Sequence, residues 1–202
     1  MAQRGGVRST TVSWRGLRVA SPVVSGDAIG DTSLTEEQLV AAGLLLLVTL
    51  QRLVELVIAS RNTRALLAEG AYEVGRGHYP AIVFLHTAWL VTLWAFLLLG
   101  LTQLWPWAAI LYLAVQALRV WTMASLGRYW TTRVIVVPHA RLVKKGPYRL
   151  LRHPNYLVVV LEIALLPLAL GSWPLALGFS VVNAILLAWR IRAENLSLSS
   201  RR

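Results

Sequence analysis

The chain has 202 residues, of which 56% are hydrophobic, with 20 Lys and Arg against 9 Asp and Glu and no cysteine. So apolar a composition, with a mean hydropathy of +0.59, excludes an ordinary soluble domain and suits one multi-pass membrane domain. The net charge of +11 does not point to nucleic acid, because the basic residues cluster at the ends of apolar segments, where membrane lipid is the natural anionic partner. The missing cysteine rules out disulfides and thiolate metal sites, and no metal is expected.

Residues 1–33 carry Gly, Ser, Thr and scattered Arg without periodicity and read as a disordered N-terminal tail before a membrane domain over 34–198. Apolar runs such as Pro22-Val23-Val24 are too short for a signal peptide. Thr35 followed by Glu36-Glu37-Gln38 predicts a capped helix that continues to about Ser60, roughly the twenty residues that cross hydrocarbon. Arg52 and Glu55 share one of its faces and are expected to pair. A polar loop is expected from Arg61 to Pro80, with Gly70, Gly75 and Gly77 as breaks. Gly75-Arg76-Gly77 neither follows a strand nor completes a nucleotide fingerprint. Glu73 and His78 are within reach of a cofactor head group, although loop contacts are the commoner role for such residues.

The second and third spans are predicted over about 81–101 and 105–125, joined by an uncharged turn, with Trp105 and Trp107 marking the interface. His86 and Gln116 lie inside these spans, where a lone polar group is often an interhelical hydrogen bond. Arg119 needs an acidic partner, Glu55 or Glu162, or else snorkels past Ser125. Val134-Ile135-Val136-Val137 is the one stretch that looks extended. Two spans follow, about 154–170 and 174–189, and the short link Gly171-Ser172-Trp173 forces them into an antiparallel hairpin.

The expected fold is therefore an all-α integral membrane protein with about five transmembrane helices and a C-terminal helical hairpin. The basic 126–153 segment, the 60–78 loop, Arg190 and Arg192 all fall on one side, which the positive-inside rule makes cytoplasmic.

The densest chemistry lies in Gly146-Pro147-Tyr148-Arg149-Leu150-Leu151-Arg152-His153-Pro154-Asn155-Tyr156, where the cationic loop meets an apolar helix. Pro154 suits the first turn, where its missing N–H costs nothing, and the N–H groups of Asn155 and Tyr156 are expected to face the loop. Such a helix start favours an anionic ligand group. Further on, Arg190 and Glu194 are four apart and share a face, which by itself suggests an exposed salt bridge.

The order G-x-Y, three residues, then R-H-P-x-Y opening a membrane helix, with Arg190 and Glu194 at the end of the hairpin, resembles the isoprenylcysteine carboxyl methyltransferase family. Asn195 replaces the second acid of the family's R-x-x-x-E-E, and Val158 stands where a small residue is common. The resemblance implies an integral-membrane methyltransferase that uses S-adenosyl-L-methionine, bound by a cytoplasmic loop, on a lipid-like acceptor. It assigns Leu142, Val143, Tyr148, His153, Pro154, Asn155, Tyr156 and Glu194 to the cofactor, and Arg190 to the acceptor as the catalytic residue. The acceptor would be an isoprenylcysteine-type carboxylate or a long-chain phenolic or pyrone product of a type III polyketide synthase pathway. The arrangement of Arg52, Glu55, Arg61-Asn62, Gly70, Glu73 and His78-Tyr79-Pro80 looks like a bacterial branch of that family, which implies a bacterial plasma membrane as the location. The alternative is a non-catalytic membrane protein that binds anionic lipid or a partner through its basic loop. A transporter is disfavoured, since no inverted repeat or pair of broken helices is visible.

Overall fold

The structure, a computed structural model, describes residues 35–199 apart from 76, 78, 139, 141 and 142, and describes no side chains over 193–199. The expectations for the tail, His78, Leu142 and the side chain of Glu194 fall outside the described residues.

Five α-helices carry the fold: α1 Glu36–Ala68, α2 Tyr79–Leu98, α3 Pro106–Leu126, α4 Pro154–Ala169 and α5 Trp173–Ser199. Four of them are long and apolar enough to cross a membrane, and α4 is shorter, with 16 residues. The protein is thus an all-α membrane protein, as its hydropathy predicts. At 1.5 Å per residue α4 spans about 24 Å, less than the ~30 Å of hydrocarbon. It is also the helix most enclosed by protein, burying Val158, Glu162, Ile163, Leu166, Pro167 and Ala169. Val158 is fully buried, so a β-branched side chain fits where the family prefers a small one. The other helices turn large apolar side chains such as Leu46, Phe84, Ile110 and Ile185 outward, as lipid-facing surfaces do.

Thr35 and Gln38 form the reciprocal capping box that starts α1. The helix does not stop near Ser60 but runs two further turns to Ala68. Arg61, Asn62 and Arg64 end the apolar run without ending the helix, because Arg, Ala and Leu are good helix formers. It ends at Gly70, whose φ of 87° lets its N–H reach Leu67 O and that of Ala71 reach Leu66 O.

The expected polar loop therefore shrinks, and it holds a strand that the sequence reading misses. β1, Tyr72–Val74, pairs antiparallel with β2, Val134–Val136, with Tyr72 opposite Val136 and Val74 opposite Val134. The run at 134–136 is thus not the only extended one. Its partner hides a charged Glu73 between Tyr72 and Val74, and three residues are too few for a periodicity to show.

Candidate active site

The motif occupies a short 3-10 turn, Gly146–Arg149, and the first turn of α4. Gly146 has φ 53°, and a Cβ there would run into the Ser125 hydroxyl and the Trp121 indole, so glycine lets the turn lie against the end of α3. Pro147 is buried and Tyr148 half-buried beneath this turn. Pro154 takes the first helical position, as expected, with His153 as N-cap. The Tyr156 N–H, in contrast, is not free for a ligand: it bonds His153 O at 3.1 Å. The His153 and Tyr156 rings stack at 5.1 Å between centroids. Asn155 Oδ1 is buried with no hydrogen-bond partner among the described residues. An orphaned acceptor at a helix start is unfavourable unless a ligand or water completes it.

α5 brings Arg190 to the same place. Its Nε donates to Tyr156 Oη at 3.2 Å and its Nη2 to Thr132 O at 3.0 Å, with the guanidinium 5.6 Å from the centroid of the Tyr156 ring. Arg190 is thus anchored to α4 and to the loop after α3, while the side chain of Glu194, its expected partner by spacing, lies outside the described residues. Nη1 has no partner among the described residues. Val143 is half-buried in the loop that precedes the 3-10 turn.

Arg190, Tyr156 and Asn155 line a cavity of about 450 Å³ that runs inward between α1, α2 and α5. Its walls are mostly apolar, with Leu53, Val83, Val159 and Leu187 among them. Such a shape accepts a hydrophobic molecule with one polar end at the mouth.

A cluster of charges forms another part of the wall. Arg119 pairs with both Glu55 and Glu162, the latter at 2.7 Å, and does not snorkel to the interface. Arg52 also bridges the two acids, at 3.2 Å to Glu55 and 2.7 Å to Glu162. Gln51 donates to Glu55 at 3.0 Å and to Gln116 at 2.8 Å, and Gln116 donates to Glu162 at 2.9 Å. The two cations and two anions cancel, and the amides use remaining carboxylate lone pairs. That is the condition under which charges survive in a low dielectric. The cluster ties α1, α3 and α4 together. Gln116 makes the interhelical bonds expected of it, whereas His86 bonds within its own helix, Nδ1 to Ile82 O at 2.8 Å.

Outside the spans, the loop after α3 is pinned by residues from the first half of the chain. Asn62 Nδ2 donates to Trp130 O at 2.9 Å and to Gly127 O at 3.2 Å. Tyr79 Oη is 3.2 Å from Thr132 Oγ1, and Arg133 stacks over the Tyr79 ring while pairing with Glu73 at 3.0 Å. Glu73 is therefore a loop contact. Its hydrogen bond pushes the Arg133 guanidinium above its already high ordinary value. A raised cation contributes stability that is fully present below its unfolded pKa and lost only in strong alkali, so this clasp is insensitive to pH across the neutral range.

Sequence reading alone misses Thr132, whose backbone carbonyl orients Arg190, and Asn183, a buried amide that lines the cavity. No side-chain pattern reports a backbone carbonyl. Asn183 was visible in principle as a polar residue inside an apolar span, seven positions before Arg190 on the same helix face.

Fold and site together define a polytopic helical membrane protein in which the loop after α3 holds, through the Thr132 carbonyl, an arginine that lines a mostly apolar cavity. Residues 108–200, covering α3 to α5 and the motif, match the isoprenylcysteine carboxyl methyltransferase (ICMT) family. The chain is also 42% identical over 158 residues to the uncharacterized protein YpbQ of Bacillus subtilis (strain 168), an alignment covering 77% of this chain and 94% of that protein. No solved structure matches it. The chain belongs to the isoprenylcysteine carboxyl methyltransferase family, and family membership makes it a membrane methyltransferase.

Proposed function

We propose that the protein is an S-adenosyl-L-methionine-dependent O-methyltransferase that acts on a hydrophobic acceptor at the cytoplasmic face of a bacterial plasma membrane, with its C-terminus cytoplasmic. The observation that carries this reading is the placement of Arg190, held by Tyr156 and Thr132 where the motif helix meets an apolar cavity. The orphaned Asn155 Oδ1 and the stacked His153 and Tyr156 rings fit a cofactor with hydrogen-bond donors and an aromatic base. Val143, Tyr148, His153, Pro154, Asn155 and Tyr156 would hold it, with Leu142 and Glu194 completing the set that the family resemblance assigns. When bound, it would supply a methyl group from a cationic sulfonium, whose sulfur leaves as a neutral thioether and so needs no general acid.

The protein's own work is then to align, to dry and to hold charge. Arg190 holds the acceptor oxygen in its anionic form, a carboxylate or a phenolate, and keeps it in line with the methyl group. The Tyr156 face favours a nearby cation by ~1 kcal/mol when desolvated. Apolar walls exclude water and strengthen both interactions. Acceptors of the isoprenylcysteine type and long-chain phenolic or pyrone products of a type III polyketide synthase both suit a cavity of this character.

Mass spectrometry of lipid extracts from cells with and without the gene tests the reading. A species that loses the mass of one methyl substitution in the deletion strain, and regains it with the wild-type but not the Arg190→Lys gene, supports it. Identical lipid profiles, with no transfer of labelled methyl by the purified protein, would favour the non-catalytic lipid-binding alternative.

A further inference from the structure

Two polar groups in the cavity, Nε2 of His86 and the side-chain amide of Asn183, have no partner among the described residues. His86 Nδ1 lies 2.8 Å from Ile82 O, and since a carbonyl only accepts, that nitrogen carries the proton. In the uncharged ring Nε2 is then a bare acceptor, and it has no partner among the described residues. Asn183 is 5% exposed and lines the same cavity, and its amide likewise has no partner among the described residues.

Their depth is set by Thr132. Tyr79 and Arg190 both bond to that residue, which places them at one level at the mouth. α2 runs inward from Tyr79 and α5 runs outward to Arg190, and the two helices pack together. His86 lies seven positions after Tyr79, and Asn183 seven before Arg190. Both therefore face the cavity about 10 Å below the mouth. One turn deeper the Trp89 indole N–H is also buried and has no partner among the described residues. A cavity for plain hydrocarbon has no use for an acceptor nitrogen and an amide at matching depths, because each loses its water without replacement.

We propose that His86 and Asn183 form a second polar subsite, which takes a hydrogen-bond-donating group, a hydroxyl or an N–H, carried by the acceptor about 10 Å from the atom that is methylated. This rests on the cavity being the acceptor site. The subsite makes the preferred acceptor a molecule with two polar points and not a simple alkyl chain with one.

The experiment measures binding to the full-length protein in detergent by calorimetry, using two matched pairs of probes. One pair is a long-chain alkylphenol with and without a hydroxyl about 10 Å along its chain. The other is an S-alkyl-N-acetylcysteine with and without the same hydroxyl. In at least one pair the wild type should bind the hydroxylated probe about tenfold more tightly, the worth of one good hydrogen bond. That ratio should fall to near one in His86→Phe and in Asn183→Leu, and His86→Gln, which keeps an acceptor, should restore part of it. A wild-type ratio near one in both pairs overturns the subsite, as does a ratio that the two variants leave intact. If one variant fails to fold, the wild-type ratio and the other variant still decide. Methyl transfer is read separately: discrimination without turnover sinks the methyltransferase reading alone, and turnover without discrimination sinks the subsite alone.

Discussion

Arg190 and Tyr156 lie 34 positions apart in the chain, and Nε of the arginine donates to the tyrosine hydroxyl at 3.2 Å. That bond joins α5, nine residues before its end, to the start of α4, so the two arms of the C-terminal hairpin are tied together at the candidate site. Since Nη2 is also engaged, the plane of the guanidinium is fixed before any acceptor arrives.

A planar, pre-oriented cation is what Arg190→Lys removes. An ammonium cannot hold Tyr156, Thr132 O and an acceptor oxygen in one plane. Kinetics of the variant should show a loss of turnover or of acceptor affinity with cofactor affinity retained. Glu194→Gln should instead raise the cofactor's dissociation constant. An exposed ion pair is worth at most about 1 kcal/mol, so equal and mild effects in the two variants would reduce them to a helix-end salt bridge.

His153→Ala and Tyr156→Phe should both weaken binding of S-adenosyl-L-methionine as measured by calorimetry. The first removes one ring of the stacked pair and the second removes the hydroxyl that Arg190 holds. Tyr156→Phe should also lower turnover, because it frees Arg190 Nε. Unchanged affinity in both variants would detach the motif from the cofactor.

The charge cluster predicts a contrast in stability. Glu162→Gln leaves Arg52 and Arg119 sharing one carboxylate inside the membrane, and breaking a buried network of this kind costs about 3–5 kcal/mol. Arg128→Ala removes an ion pair with Glu69 in which both side chains are more than half exposed, and should cost under ~1 kcal/mol. Thermal melting in detergent should put the first variant well below wild type and the second close to it. The reverse order would show that the cluster is not a tertiary staple.

Topology is open to direct labelling, because the chain has no cysteine of its own. A single cysteine at position 140 should be protected from an impermeant thiol reagent outside intact cells and react after permeabilisation. One in the turn at Gln103 should do the opposite. External labelling at 140 would invert the proposed orientation.

The sequence by itself determined the membrane class, the helices and the place of the motif, because each of these is written locally. A run of apolar residues must be helical to satisfy its backbone in lipid, and Thr35 and Pro154 mark starts through their own side chains. It did not determine where α1 ends, since Arg61 to Ala68 leave the apolar pattern while remaining good helix formers. It left Arg119 either to pair with Glu55 or Glu162 or to snorkel past Ser125, and only the packing of α1 against α3 and α4 decided that it takes both acids. The strand at 72–74 and its pairing with the extended run at 134–136, the carbonyl of Thr132 behind Arg190, and the shared depth of His86 and Asn183 belonged wholly to the tertiary structure. Each depends on backbone groups or on segments far apart in the chain, and neither is recorded in the pattern of side chains along it.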